Sequence, residues 1–360
     1  MTAAMPRRDA VRLGLRVPPA DNAAAVADTI VRAEAYGWDT VWLGDSQLLW
    51  RDPFTTLAVA ALRTQRIRLG IAVTNLRTRH ISVLASTIRT VAELAPGRLV
   101  VAVGAGHSSV RSIGMGPSPT RELATNLHRL RTLLAGDTVD FGARPPVPLG
   151  HPPAVEVPLY VAATGPRNLR LAGQLGDGAL ILAGTTPEAL RTAADTVAQG
   201  AADAGRDPAS VPLVVAATCL LSDRPEHDAR RLKPHALTIA ADGGRKRLAD
   251  AGVVITGPGP AGWPRPQPDL LHAADPQAAI AACDAHITDD AAAVFAKKFA
   301  LVGTPQTVRE RITALYNTGA SEVFLQHPGS YDPPEDLLPH RGALTRATHL
   351  RPSMHPDTET

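Results

Sequence analysis

The sequence predicts an α/β fold, a TIM (β/α)8 barrel, on three observations. Four β–α units follow one another at short intervals in the first half of the chain. Their strands are apolar almost throughout, the pattern of parallel strands covered by helices. After a Pro-rich link the alternation resumes, and the chain returns to a final strand at 320–328. A doubly wound open sheet shares the alternation; the length of 360 residues and the last strand favour closure.

The elements follow in order. "VRLGLRV" (11–17) is the first strand, and 22–37 is a helix by its apolar spacing, stopped at Gly37. "DTVWLG" (39–44) is the second strand. Asp-Pro then opens a helix at 52–64, as a cap followed by a first-turn proline. "RIRLGIAVT" (66–74) is the third strand; the helix at 80–97 puts Ile81, Leu84, Ile88 and Val91 on one face and ends at Pro-Gly. Strand four (98–104) and a helix at 118–136 follow. Past the irregular, Pro-rich 141–158 come strand five (159–165), a short helix (166–176), strand six (177–184), a helix (186–205) and strand seven (210–222). A helix spans about 225–241. The Pro/Gly-rich 256–272 is an irregular insertion, helical patterns recur at 275–286, 289–299 and 303–319, and the eighth strand closes the series. Residues 11–330 are expected to form one domain, with 331–360 a partly irregular C-terminal extension.

Composition narrows the function. The chain is 44% apolar, enough to fill a core and unlike a disordered sequence. Four of its 37 basic residues are lysine, and the arginines fall singly on helices, a solvated face rather than a nucleic-acid stripe. Cys219 and Cys283 have no Cys or His at ligand spacing and read as small buried hydrophobes. There is no long apolar run for a signal peptide or a membrane span, so a cytoplasmic protein is expected, with no nucleic acid, membrane or metal partner.

In a barrel the chemistry gathers at the C-terminal strand ends. Strand four ends in "GAGHSS": Gly104, Gly106, His107, Ser108 and Ser109. This loop is either a plain tight turn or a place where backbone approaches a ligand, with hydroxyls as donors and His107 able to move a proton. Strand five ends in Thr164-Gly165, before Pro166 and Arg167; the amides there either receive ordinary caps or hold a phosphate. Asp45, beside Ser46, caps a turn or meets a cofactor ring. Thr74 and Asn75 bond a polar heterocycle edge or their own backbone. Trp38 and Trp42 read as packing. No metal motif, dinucleotide fingerprint, P-loop or nucleophile elbow appears. So few nucleophiles point to a cofactor as the source of the chemistry.

Five segments in order, "YGWDTVWLGD", "RIRLGIAVTNLRTRHISVLASTIRTVAEL", "PGRLVVAVGAGH", "ATGPRNLRLAGQLGDGALI" and "GTPQTVRERI", resemble the luciferase-like monooxygenase superfamily. More closely, they resemble its branch that uses the deazaflavin F420, which includes methylenetetrahydromethanopterin reductase and F420-dependent glucose-6-phosphate dehydrogenase. The resemblance covers roughly 11–326. It implies a bulge in strand three with a non-prolyl cis peptide at Ala72-Val73 behind the cofactor ring, with Thr74 and Asn75 at the ring's polar edge and Asp45 and Ser46 nearby. It places Gly106, His107 and Ser108 near the tail or the reacting centre and Gly165, Pro166 and Arg167 at the tail phosphate, with Gly104 and Thr164 also among the cofactor-binding residues. Three positions depart from the family. Ser46 stands where the sugar-phosphate dehydrogenases carry His, His107 where they carry an acidic proton donor, and Leu15-Arg16 where the reductases carry Glu. The expectation is an F420-dependent oxidoreductase with His107, aided by Asp45, in the catalytic role. An FMN-dependent monooxygenase and a cofactor-free binding barrel are the alternatives. A small-molecule substrate, a pocket lined by 256–272, and a homodimer through 52–64 and 80–94 complete the expectations.

Overall fold

The computed structural model describes residues 11–142, 147–150, 156–257, 259, 262–264, 266, 268–329 and 331–345. Eight parallel strands close into a barrel: β1 (Leu13–Arg16), β2 (Thr40–Leu43), β3 (Arg68–Asn75), β4 (Leu99–Gly104), β7 (Leu159–Ala163), β8 (Gly178–Ile181), β9 (Leu213–Leu221) and β11 (Glu322–Gln326). The β8–β9 and β1–β11 pairings complete the ring. A two-residue antiparallel ribbon, β5 (Thr138–Val139) with β6 (Val147–Pro148), lies in the link between β4 and β7. The rest of that link, 143–146 and 151–155, lies outside the described residues.

The helices start where their caps are. Asn22, Asp52, Thr186 and Thr304 each accept a backbone N–H in the first turn of the helix that follows, and proline occupies the first turn of the last three. The inner faces, such as Ile81, Leu84, Ile88 and Val91, are buried against the barrel.

A separate apolar cluster fills the barrel axis: Trp42, Val100, Ala102, Tyr160, Leu180, Val214, Ala216 and Phe324. Trp42 is fully buried, 5.5 Å from the Phe324 ring. Its bulk is admitted by glycine on both neighbouring strands. A Cβ on Gly70 would lie 2.3 Å from the Trp42 ring, and one on Gly14 would lie 2.6 Å from its Nε1. Gly178 makes the same allowance for Tyr160. Glu322, also fully buried, accepts from Trp42 Nε1 at 2.8 Å and Thr40 Oγ1 at 3.0 Å, with Arg68 Nη1 at 3.5 Å. Trp38 and both cysteines are buried as well, and the cysteines are unpaired.

Three stretches differ from the sequence expectation. "ALVG" forms a ninth strand, β10 (Ala300–Gly303), paired outside the ring with the end of β9; four apolar residues directly after a helix read equally well as its last turn. The helix expected at 225–241 is a chain of short segments reaching Asp250, kinked at Ala240–Gly244 where Gly243 takes φ +88°. A short helix, Ser108–Arg111, sits in the loop after β4. In the C-terminal stretch Leu337, Leu338 and Leu344 are buried in the main core, and Trp38 Nε1 donates to Leu338 O at 3.0 Å; residues 346–360 lie outside the described set. Within 256–272 the described residues form no strand, and 258, 260, 261, 265 and 267 are outside the description. No described helix is long and apolar enough to cross a membrane.

Removing one partner of a buried ion pair leaves the other charge and its donors stranded. Glu322→Ala is therefore expected to lower the unfolding free energy by about 3–5 kcal/mol in urea denaturation. Glu322→Gln, which still offers an acceptor to Trp42 and Thr40, should cost less. An alanine variant as stable as the parent would show that this carboxylate does not hold the axis together.

Candidate active site

A cavity of about 440 Å³ opens at the C-terminal rim of the barrel, within the range of small-molecule sites. Twelve of the candidate site residues singled out from sequence line it: Asp45, Ser46, Ala72, Val73, Thr74, Gly104, Gly106, His107, Ser108, Ser109, Thr164 and Gly165. They come from the ends of β2, β3, β4 and β7, elements far apart in the chain. Asn75, Pro166 and Arg167 stand beside the cavity rather than in its wall. Asn75 is buried, and its amide is spent on the turn: Oδ1 accepts from Arg77 N and Thr78 N, and Nδ2 donates to Ser109 Oγ.

The floor is shaped at β3. The Ala72-Val73 peptide bond is cis, and the pairing with β4 slips by one residue between Ala72 and Thr74, so Val73 is the extra residue of a bulge. Val73 faces Gly104, where a Cβ would come within 2.9 Å of Val73 Cγ1. Gly106, at φ +78°, turns the chain out of β4. Next to this floor, Asp45 is held by Thr74 Oγ1 at 2.6 Å and by Arg79, whose other nitrogen donates to Asp52 at 2.6 Å. Ser46 Oγ is buried with no hydrogen-bond partner.

At one end of the cavity, Gly165 caps the helix Pro166–Leu175 without any side-chain cap. A Cβ there would meet nothing within 4 Å, so the backbone faces open space. The first-turn amides are the anion-receiving groups of the helix. Arg247 adds a cation: its Nη1 is 3.5 Å from the Thr164 and Leu182 carbonyls, its Nε is buried without a partner, and its guanidinium lies 5.7 Å from the Phe299 ring. Burial lowers its pKa. These groups could receive an anion at the start of this helix.

At the mouth, His107 is half-exposed, with Nδ1 3.6 Å from Asp242, which also pairs with Arg111. The opposite end holds Arg16, singled out in the sequence only as a departure from the family, and His327, just past a strand end, together with three groups that sequence reasoning did not reach: Trp50, His235 and His272. Arg16 was visible as a charge ending an apolar strand. His235 and His272 gave no local signal, because the helix at 233–239 and the insertion that carry them reach the rim through tertiary packing. Burial, reinforced by Arg16, lowers the His235 pKa to about 4. Among the described residues no group of three or more His, Cys, Asp or Glu could hold a metal ion.

His235 is therefore neutral in the folded chain between about pH 6.5 and pH 4, while the unfolded chain takes up a proton there. The unfolded state binds more protons in that window, so stability falls as the pH falls through it. The full loss is about 3 kcal/mol, the linkage value of such a shift. Urea midpoints from pH 7.5 to pH 4 should show a steeper decline for the parent than for His235→Gln. Parallel profiles would show that His235 does not contribute.

The sequence as a whole matches known proteins at this architecture. A family model described as Luciferase-like monooxygenase matches residues 6–322. The chain is 30% identical over 337 residues to a 5,10-methylenetetrahydromethanopterin reductase of Methanolobus tindarius, an alignment covering 88% of this chain and 94% of the relative. A solved F420-dependent secondary alcohol dehydrogenase, in complex with an F420-acetone adduct, superposes with a TM-score of 0.69 at 19% identity, covering 93% of this chain and 99% of that one. The oxygenating constituent of 3,6-diketocamphane monooxygenase from Pseudomonas putida, in complex with FMN, superposes at 0.60 and 20% identity, covering 93% and 96%. The two structural likenesses speak for the fold alone. The matched family model and the full-length relative place the chain in the luciferase-like monooxygenase family, a superfamily of flavin- and deazaflavin-binding oxidoreductases.

Proposed function

We propose that the protein is an F420-dependent oxidoreductase that transfers a hydride between the deazaflavin and a small organic substrate, an alcohol or ketone, an imine or an activated C=C bond. The observation that carries this reading is the 30% identity with a methylenetetrahydromethanopterin reductase over 88% of the chain. The cavity supports it. Ala72, Val73 and Gly104 would border the ring's place, and Asp45, Ser46 and Thr74 would offer polar contacts at its edge, with Asn75 holding the turn behind them. Thr164, Gly165, Pro166 and Arg167, joined by Arg247, would hold the tail phosphate. Gly106 and Ser108 lie between these two regions in the β4 loop.

When bound, the deazaflavin supplies a ring carbon that gives or takes a hydride; it lacks the ring nitrogen at which a flavin's oxygen chemistry is controlled. The chain's part is positional and protonic. The rim holds donor and acceptor close and aligned. His107 takes the proton of an alcohol or returns it to a ketone or imine, with the Asp242 carboxylate 3.6 Å from its Nδ1. Asp45, tied to Thr74 and Arg79, keeps that side of the floor fixed.

The apolar helix faces suggest assembly: Leu62, Val83 and Leu94 are 70%, 55% and 37% exposed on the segments 52–64 and 80–94. A homodimer through these segments is part of the proposal, and light scattering of Leu62→Glu/Val83→Glu should give a monomer where the parent gives a dimer.

Absorbance and fluorescence titrations with F420 and FMN test the cofactor. F420 should saturate the protein at least about tenfold more tightly than FMN, a difference of about 1.4 kcal/mol. Tighter FMN binding, with oxygen consumed by the reduced complex, would make the protein a monooxygenase; binding of neither would leave a cofactor-free barrel. With a turned-over substrate in hand, His107→Gln should cut the rate by about 10²-fold and leave F420 affinity within a few-fold. An unchanged rate removes His107 from the proton transfer.

A further inference from the structure

The β1–β11 end of the cavity contains a charge with no counter-charge. Arg16 ends β1 and lines the cavity with its guanidinium 5.0 Å from the centre of the Trp50 ring. Among the described residues it has no carboxylate partner, and its pKa is lowered to about 10 by burial alone. The carboxylates nearby are committed elsewhere. Asp45 is engaged by Thr74 and Arg79, Asp269 bonds His272 Nδ1 at 2.8 Å, and Asp336 is 3.3 Å from His327 Nε2. Around Arg16 stand two further unsatisfied groups: Trp50 Nε1 and His235 Nδ1 are both buried without a hydrogen-bond partner. A desolvated cation beside orphaned nitrogens is costly unless something anionic completes it.

We propose that this end of the cavity is a carboxylate subsite, in which Arg16 anchors a monoanionic substrate such as a hydroxy, oxo or unsaturated acid, with Trp50 and His235 completing its hydrogen bonds. This rests on reading the cavity as the redox site and names the substrate class that site takes. A carboxylate fits better than a phosphate for three reasons. Arg16 is the one cation of this corner that has no acidic partner among the described residues, so the corner balances a single negative charge. His235, with its pKa near 4, is neutral at pH 7 and contributes a hydrogen bond rather than charge. The helix N-terminus suited to phosphate lies at the other end, at Gly165. The planar guanidinium matches a carboxylate through two parallel hydrogen bonds.

The test is a calorimetric titration of the protein, with F420 present and without it, using matched acids and amides: acetate and acetamide, hexanoate and hexanamide, benzoate and benzamide. At least one acid should bind about tenfold or more tightly than its amide, the scale of charge-assisted hydrogen bonds. Arg16→Met should abolish that preference, and Arg16→Lys should keep part of it. Inorganic phosphate should not displace the bound acid. An acid-to-amide ratio near one throughout the set, or a preference that survives Arg16→Met, overturns the subsite; displacement by phosphate overturns its assignment to carboxylates. If Arg16→Met does not fold, the parent's acid-to-amide ratio and the Arg16→Lys variant decide. The F420 titration of the parent is read separately. Loss of F420 binding with the acid preference intact refutes the cofactor and leaves the subsite; the reverse refutes the subsite alone.

Discussion

The rim depends on what fills the barrel axis. The Trp42 indole lies between Gly14 and Gly70 and donates to Glu322, so strands β1, β2, β3 and β11 are joined around one side chain and one carboxylate. Parallel strands can slide past one another by a pleat; a large indole accepted only where neighbouring strands carry glycine removes that freedom. The register that follows sets Gly14 opposite Thr40 and Phe324, and Gly70 opposite Trp42. Arg16, Asp45, Thr74 and His327 then leave their strands at the same end. The chemistry of the rim is downstream of this packing inside the barrel.

Above the axis, a relay of polar contacts converts register into a rigid floor. Thr74 at the end of β3 donates to Asp45 past the end of β2, Arg79 joins Asp45 to Asp52, and Asp52 caps the helix Pro53–Ala61 through Thr55 N. One arginine thus links two strand ends to the start of a helix. Sites supported in this way lose little of their geometry to side-chain motion. The bulge at Val73 shows the opposite use of the same strand: there the ladder is broken, and the displaced side chain is accommodated because position 104 has no Cβ.

What was legible in the sequence follows from range. The helix start at Asp52 could be read because a cap acts within three residues, and the helix at 22–37 because its apolar spacing is local. The barrel strands could be read because burial on both faces leaves an apolar run. The bulge and cis bond at Ala72-Val73 came from family resemblance, since no property of Ala-Val demands them. Strand β10 was missed because "ALVG" owes its pairing to Thr218–Leu221, about eighty residues away. Arg247 was missed for the same reason: its contact with Thr164 spans 83 positions. The residues around Arg16 come from β1, the loop after β2, the helix at 233–239 and the insertion, and no window of sequence contains them together.

The cavity that results has Arg16 in its wall at one end and Arg247 beside its other end. Gly165, with Arg247 close to Thr164, forms one pole and Arg16 the other; apolar Ala72, Val73, Ala162 and Leu182 line the wall together with polar Asp45, Ser46, Thr74 and Ser108. The two poles differ in kind. Helix amides and an arginine beside open backbone suit a spread, multiply charged group, whereas one guanidinium against an indole suits a single planar anion. A neutral molecule entering the second pole would strip water from Arg16 without replacing it, which costs more than a missing apolar contact does. The unpaired arginine therefore discriminates by penalty as well as by attraction. Had a carboxylate of the chain itself neutralised Arg16, the corner would have been more stable and less selective, which gives a physical reason for leaving that charge unpaired.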